Sequence, residues 1–467
     1  MMTRKNIFLL LTMLFIGVPS FSQEIKIEGN LESKLPIDPA IKKGVLKNGL
    51  TYYIRKNEKP EDKVELRLVV NVGSMVEDDN QLGLAHFMEH MAFNGTKNFK
   101  KNDLVHYLQT VGVKFGADLN AYTSFDETVY ILPIPSDDSE ILEKGFQVLE
   151  DWAHNVELSE EEIDKERGVV IEEWRLGQGA GQRMRDQFFP VLFKDSRYAE
   201  RLPIGKKEIL ESFDYETLRK FYREWYRPEL MSVVVVGDID PAEMEEKIKT
   251  HFSKLKNPKK PRERVFYEVP DHDETYVSIV TDKEASFTQV QLMYKKENIS
   301  EETLGDYRDY IVRTLYNGML NDRLNELKQS AEPPFFMANT GFGNMVRTKS
   351  SYSSFAVVGE NGIEKGLQTL IVENERVLRF GFTSGELERY KKKFLNNYER
   401  ARNEKDKTES RSYASEYIRN YLQDEPIPGI DFEYAFAEKT LPGITLEEIN
   451  DLAGKWINNQ NRVVIIM

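Results

Sequence analysis

Two early segments, Gly49–Arg55 and Val64–Val72, read as strands, the second through its apolar alternation. A helix is expected around Leu82–Phe93 and another over Lys101–Val111. The stretch Asp118–Pro133 is rich in β-branched and aromatic residues and reads as a strand. Helices then dominate, over Ser139–Asn155, Ser159–Gly177 and Asp214–Trp225. Ser159 is followed three residues later by Glu162, the spacing of a capping box. Met231–Val236 reads as a buried strand ending at Gly237-Asp238, and Pro241 suits the first turn of the next helix.

The segment Lys256–Arg264 then breaks the pattern with basic residues and two prolines, and reads as a solvated linker. From about Val265 the plan repeats. A strand pair, Tyr276–Thr281 and Thr288–Tyr294, precedes a helix from Glu301 to about Gln329, a loop with Pro333-Pro334, a strand Tyr352–Val358, and helices to Ile457. Trp225 precedes Val233–Val236 by eight positions, and Trp456 precedes Val463–Ile466 by seven, a short self-match that points to duplication. Strands mixed with long helices, without regular alternation, predict an α+β fold rather than a doubly wound sheet. The expectation is two related domains, each an antiparallel-rich β-sheet packed against α-helices. The division expected is a leader at 1–22, a first domain at 23–255, a linker at 256–264 and a second domain at 265–467.

Composition narrows the partners. With 467 residues and 40% hydrophobic content the chain can bury more than one core. A net charge of −14 argues against nucleic acid and anionic membrane as main partners. Arg4 and Lys5 precede an apolar run, Ile7–Val18, too short to span a bilayer but suited to a signal peptide. Ser20 and Ser22 supply small residues for cleavage before Gln23. The signal is bacterial in style, so export to the periplasm, with no membrane insertion after its removal, is expected. No cysteine is present, which excludes disulfides, thiolate ligands, a cysteine nucleophile and a lipidated cysteine.

The chemistry concentrates in Gly83-Leu84-Ala85-His86-Phe87-Met88-Glu89-His90. On a helix, positions i, i+3 and i+4 share one face, so His86 and His90 can grip one metal ion with Glu89 beside it. Neutral imidazoles suit Zn²⁺, whose open position holds a water with its pKa lowered to about 7. Glu89 can take that proton and pass it to a leaving amine. Leu84, Phe87 and Met91 would face the packing side. His106, His154, His251 and His272 show no ligand spacing. A hydrolytic zinc site needs a third protein ligand. Glu166 and Glu173 lie seven apart, two helical turns, and point the same way, whereas Glu172 points about 100° away. Spacing alone leaves a solvated acidic helix equally open. The stretch Asp118–Tyr130 could receive an extended peptide as an added strand, with Asn120 and Thr123 polar and Ala121 small enough for close approach.

Gly83–His90, followed by Met91-Ala92-Phe93-Asn94-Gly95-Thr96, resembles the active-site helix of the pitrilysin family, which includes insulin-degrading enzyme and the mitochondrial processing peptidase. Leu119–Ser124 resembles the family's strand beside the zinc, and Glu166–Glu173 its third-ligand helix. The resemblance runs over Gly44–Ile239 and continues weakly beyond, as in the N-terminal half of a long bacterial periplasmic member. It implies zinc on His86, His90 and Glu173, Glu89 as the catalytic base, and Glu166 supporting the site. It also implies that Asn120 and Ala121 contact the substrate backbone, that Tyr122 lines a side-chain pocket, and that the fold is one half of a clamshell. The family's arginine and tyrosine for the oxyanion come from a Gly-Leu-x-Tyr-like segment of the opposing half. Here Arg323 is present in the corresponding place, but the rest of that segment is not. The expectation is therefore a zinc endopeptidase for peptides or partly unfolded proteins that needs a C-terminal half or second subunit. The strand Val463–Ile466 running to Met467 with no turn or tail is read the same way. The alternative is a non-catalytic subunit that holds peptides or scaffolds a partner; the complete hydrolytic set favours the enzyme.

Overall fold

A computed structural model describes residues 29–100 and 120–467, with positions 103, 106, 110 and 116 between them. The expected leader, most of the helix Lys101–Val111 and the strand positions Asp118 and Leu119 lie outside the described residues. The first half contains β1 (Ile41–Val45), β2 (Thr51–Lys56), β3 (Lys63–Val70), α1 (Leu84–Met91), β4 (Asn120–Thr123) and β5 (Thr128–Pro135). It continues with α2 (Ser139–His154), α3 (Glu160–Gly177), α4 (Ala180–Leu192), α5 (Lys207–Ser212), α6 (Tyr215–Trp225), β6 (Met231–Gly237) and α7 (Pro241–Phe252). The second half contains β7 (Tyr276–Ile279), β8 (Thr288–Glu297), α8 (Leu304–Lys328), β9 (Met337–Val346) and β10 (Lys349–Val358). Then follow α9 (Ile363–Phe380), α10 (Ser384–Asn403), α11 (Ser410–Gln423), α12 (Ile430–Thr440), α13 (Leu446–Trp456) and β11 (Arg462–Ile466).

The fold is α+β with two sheets that share a five-strand order, to which the first adds β1 at its edge. The first runs β1-β2-β6-β3-β5-β4 and the second β7-β11-β8-β10-β9. In each, the last strand (β6 or β11) pairs in parallel with an early strand (β2 or β7), and the remaining neighbours are antiparallel. Trp225 closes α6 and Trp456 closes α13, each the helix that leads into that central strand. The short self-match in the sequence thus falls on equivalent places of a duplicated unit.

The unbroken apolar run of β6 follows from burial on both faces. Val233 and Val235 pack with Leu66, Leu68 and Tyr130 against Phe87, Met88 and Met91 of α1 and Trp152 of α2. Val234 and Val236 meet Ala414, Tyr417 and Ile418 of α11, a helix of the second half. The exchange is reciprocal: Leu192 of α4, with Phe193 and Tyr198, packs against Met293, Val463 and Ile465 of the second sheet.

Three features depart from the sequence reading. Asp118–Pro133 is not one strand: Ser124–Glu127 turns the chain, with Ser124 N–H donating to Glu127 O at 2.8 Å, so β4 and β5 form a hairpin. The two strands expected to pair, β7 and β8, are separated by β11. The sequence pattern does not predict helices α4 and α5 or strands β1 and β9. The helix α4 carries Pro190 in its interior, and β9 carries glycines and asparagines of low strand propensity. Its edge is supported by the Asn321 side chain, which donates to Thr340 O at 3.0 Å and accepts from Thr340 N–H at 2.7 Å, as a neighbouring strand would.

Candidate metal centre

The helix α1 starts where it does because its first amides are satisfied by a buried carboxylate. Glu77 accepts from Gly83 N–H at 3.0 Å and Ala85 N–H at 2.8 Å. Gly83 has φ +100° and packs so closely on Gly205 that a Cβ on the latter would stand 2.3 Å from Gly83 Cα. Leu84, Phe87 and Met91 are buried in the core, as their spacing predicts, which turns His86 and His90 toward α3.

The two imidazoles bring Nε2 to Nε2 at 3.3 Å. Glu173 of α3 places Oε2 3.1 Å from His90 Nε2 and Oε1 3.6 Å from His86 Nε2. Ligand atoms at about 2.0–2.1 Å from a tetrahedral ion stand about 3.3 Å from one another, so this set fits a zinc-sized ion. Among the described residues it is the one group of His, Cys, Asp and Glu able to converge on a metal. Glu172 turns away and pairs with Arg175 at the surface.

Glu166, two turns before Glu173 and buried, accepts from His90 Nδ1 at 2.8 Å. That bond holds the proton on Nδ1, so that once a metal displaces the Nε2 proton the lone pair of His90 Nε2 points toward His86 and Glu173. Asn94 Nδ2 donates to the other Glu166 oxygen. Burial, and then the neighbouring His90, hold His86 down at about 4. Burial opposes the charge on His90 as well, but hydrogen bonds to Glu166 and Glu173 push it up to about 9. Glu89 is buried beside the histidines, and burial raises its carboxyl to about 7 while a hydrogen bond from Thr123 Oγ1 acts the other way.

Thr123 lies on β4, the outermost strand of its sheet. Strand alternation divides the residues of β4. Ala121 and Thr123 lie in rows with Tyr130–Leu68 and Thr128–Val70, on the face that packs against α1. Asn120 and Tyr122 lie in rows with Ile131–Arg67 and Val129–Val69, on the opposite face. Asn120 is exposed and its Oδ1 accepts from Ala121 N–H at 2.9 Å. Tyr122 is 41% exposed. Arg323 lies within the second half, its guanidinium bonded to Glu386 at 2.5 and 2.9 Å and to Gly381 O at 3.2 Å. The sequence pattern offers Thr123 only as a polar residue of the peptide-receiving strand and gives no role to Asn94 or Glu77. Asn94 had a legible signal, since His86, His90 and Asn94 follow at intervals of four.

Residues 52–188 match the insulinase domain of peptidase family M16, and residues 212–394 match the peptidase M16 inactive domain. The chain belongs to the insulinase family of peptidases. It is 33% identical over 413 residues to a zinc protease PQQL-like protein of Arabidopsis thaliana, covering 88% of this chain and 40% of that protein. It is 30% identical over 460 residues to the probable zinc protease PqqL of Haemophilus influenzae, covering 97% of this chain and 49% of that one. The crystal structure of the first half of the periplasmic protease PqqL from Escherichia coli superposes with a TM-score of 0.87 at 29% identity, over 93% of each chain. Against the structure of the PqqL protease from the same organism the coverage is 93% of this chain and 48% of that one. The chain thus spans about half the length, or less, of the curated relatives it matches.

Proposed function

We propose that this chain is the metal-binding half of a zinc-dependent endopeptidase acting on peptides or partly unfolded proteins. The observation that carries the reading is the convergence of His86, His90 and Glu173 beside a buried Glu89. These three residues would hold the zinc. Bound there, zinc would supply Lewis acidity toward a carbonyl and would lower the pKa of a water to about 7. Glu89 removes a proton from that water and delivers it to the leaving amine. Thr123 keeps the Glu89 carboxylate turned toward the reacting atoms, and Glu166 keeps His90 oriented. The outer edge of β4 takes the extended substrate as a further strand, through main-chain hydrogen bonds. Ala121 permits close approach on the metal side, and Asn120 and Tyr122 contact the peptide from the other face.

The donors that stabilise the oxyanion belong, in this proposal, to a C-terminal half or a second subunit of the same kind. The commitment of Arg323 to Glu386 and the greater length of the relatives support that reading. Removing one such donor costs roughly 10²–10³ in rate, so the isolated half should bind zinc and cleave slowly. A periplasmic location is proposed from the N-terminal run Ile7–Val18 and from the periplasmic PqqL structure. Among the described residues no helix is long and apolar enough to cross a membrane.

The test is cleavage of an unfolded-peptide library with and without a chelator, followed by zinc restoration. Chelator-sensitive cleavage that returns with zinc is expected. A zinc-loaded chain that binds peptides and never cleaves them, even with a matching second half, is a peptide-holding subunit instead.

A further inference from the structure

The carboxylate of Glu89 is oriented by Thr123, and Thr123 is carried by a strand of four residues that ends in the turn Ser124–Glu127. A strand that short at a sheet edge is poorly fixed by its own ladder. What fixes it is the tip of the hairpin. Asp126 accepts from Arg264 Nη2 at 2.6 Å and from the Tyr198 hydroxyl at 2.9 Å. Glu127 accepts from Arg347 Nη2 at 2.9 Å. Ser74 N–H and Met75 N–H donate to Ser124 O and Phe125 O at 3.2 and 2.8 Å. Gly73 permits that approach, since a Cβ there would stand 2.2 Å from Ser124 O.

Arg347 makes the ion pair by which the second half reaches the hairpin tip, beside the Phe125 ring, which packs with Phe189, Phe193 and Tyr198 against Val346 and Val463. This arginine lies in the turn between β9 and β10 and is 9% exposed at its side chain. Its Nη1 donates to Asn71 Oδ1 at 3.1 Å and to Leu422 O at the end of α11, while its Nη2 takes Glu127. Asn71 O in turn accepts from Arg264 Nε at 3.1 Å, so the two guanidinium groups at the hairpin tip share one residue. From Glu127 the path back to the base is short. Glu127 O accepts from Ser124 N–H at 2.8 Å, and Ser124 follows Thr123.

We propose that Arg347 is a positioning residue: the second half sets the orientation of Glu89 in the first by clamping the β4–β5 hairpin through Glu127. This rests on the zinc-peptidase reading for its catalytic consequence. Its structural consequence, a hairpin ordered by Arg347, stands by itself. A second ion pair between the halves, Arg183 with Asp282 and Glu284, joins α4 to the loop after β7 and makes no bond to the hairpin, which α4 meets through Phe189 against Phe125. It supplies the control that separates positioning of the base from general loosening of the interface.

The experiment compares the full zinc-loaded chain with Arg347→Ala, Arg347→Lys and Arg183→Ala, by hydrogen exchange of amides 120–128, zinc content, kcat and KM. Arg347→Ala is expected to speed hairpin exchange about tenfold or more, since the tip then opens locally. It should also lower kcat by roughly 10- to 100-fold through misplacement of the base, with KM and zinc content little changed. Arg347→Lys should recover part of both effects, and Arg183→Ala should show neither. Should Arg347→Ala fail to fold, Glu127→Gln weakens the same contact and should shift both readouts in the same direction. Hairpin exchange and kcat equal to wild type would overturn the proposal, as would the same changes in Arg183→Ala. A wild-type chain that cleaves nothing sinks the peptidase reading, while the exchange measurement still decides whether Arg347 orders the hairpin.

Discussion

Replacing Glu166 by glutamine should weaken zinc binding without abolishing it, and replacing it by alanine should weaken binding much further. The wild-type carboxylate accepts from His90 Nδ1 at 2.8 Å and from the Asn94 amide while buried. Glutamine keeps an oxygen for Nδ1–H but loses the charge, and its own NH₂ group then faces the Asn94 donor, so one amide must turn. A hydrogen bond to a charged partner contributes about 1.5–3 kcal/mol and a neutral one about 1. The difference of about 0.5–2 kcal/mol corresponds to roughly 2- to 30-fold in affinity, at or below the lower end of the 10- to 100-fold seen for such outer partners. Alanine leaves His90 Nδ1 and Asn94 to find new partners in a buried site, at about 1–3 kcal/mol more. Zinc dissociation constants from competition with a chromophoric chelator near pH 7.5 should rank wild type, Glu166→Gln, Glu166→Ala, with folding checked by circular dichroism. Equal constants for all three would show that Glu166 does not orient His90.

Other substitutions probe the site and its frame. His86→Ala, His90→Ala and Glu173→Ala should each lose zinc, whereas Glu172→Ala should retain it, because Glu172 pairs only with Arg175 at the surface; the reverse result for the two glutamates would move the third ligand by one residue. Gly205→Ala should destabilise the chain by about 1–3 kcal/mol from its backbone conformation alone, since Gly205 has φ +74° and its Cβ would strike Leu82 and Gly83, which lead into α1; equal denaturation midpoints would contradict that packing. Lys295 is fully buried with no hydrogen-bond partner for Nζ among the described residues, and burial, then Lys349, lowers it from 10.5 to about 8. Between those values the unfolded chain binds more protons, so the deficit is complete below about pH 8 and vanishes as pH rises through 10.5. Lys295→Met should therefore stabilise at pH 7, by up to about 3 kcal/mol, and lose that advantage toward pH 10 in urea denaturation; an advantage independent of pH would refute the assignment.

The candidate metal-binding face of α1 was legible because helix periodicity alone determines it. His86, Glu89 and His90 share a face, and Leu84, Phe87 and Met91 define the opposite one. The choice between Glu172 and Glu173 was not open to spacing, since it depends on how α3 is rotated about its axis. That rotation is set by Ile163, Glu166 and Val170, which are buried. The β4–β5 hairpin escaped notice because its turn, Ser124–Glu127, contains neither glycine nor proline and is stabilised by Arg264 and Arg347 from distant sequence. The apolar face of α11 could be read as a helix face, but nothing local says that it covers the sheet of the other half. Thr123 gained its partnership with Glu89 only through that tertiary placement.

Glu89→Gln tests zinc-dependent peptide hydrolysis by this chain most directly. Glutamine matches the buried carboxyl in size and leaves His86, His90 and Glu173 in place, but cannot accept the proton. Zinc content by mass spectrometry and turnover of a quenched fluorescent peptide would be measured on both proteins, each paired with a matching second half. The expected result is about one zinc per chain in both, with turnover in the variant lower by about 10²–10⁴. Zinc-loaded Glu89→Gln turning over peptide at the wild-type rate would contradict the assignment of Glu89 as the base and, with it, the proposed reaction.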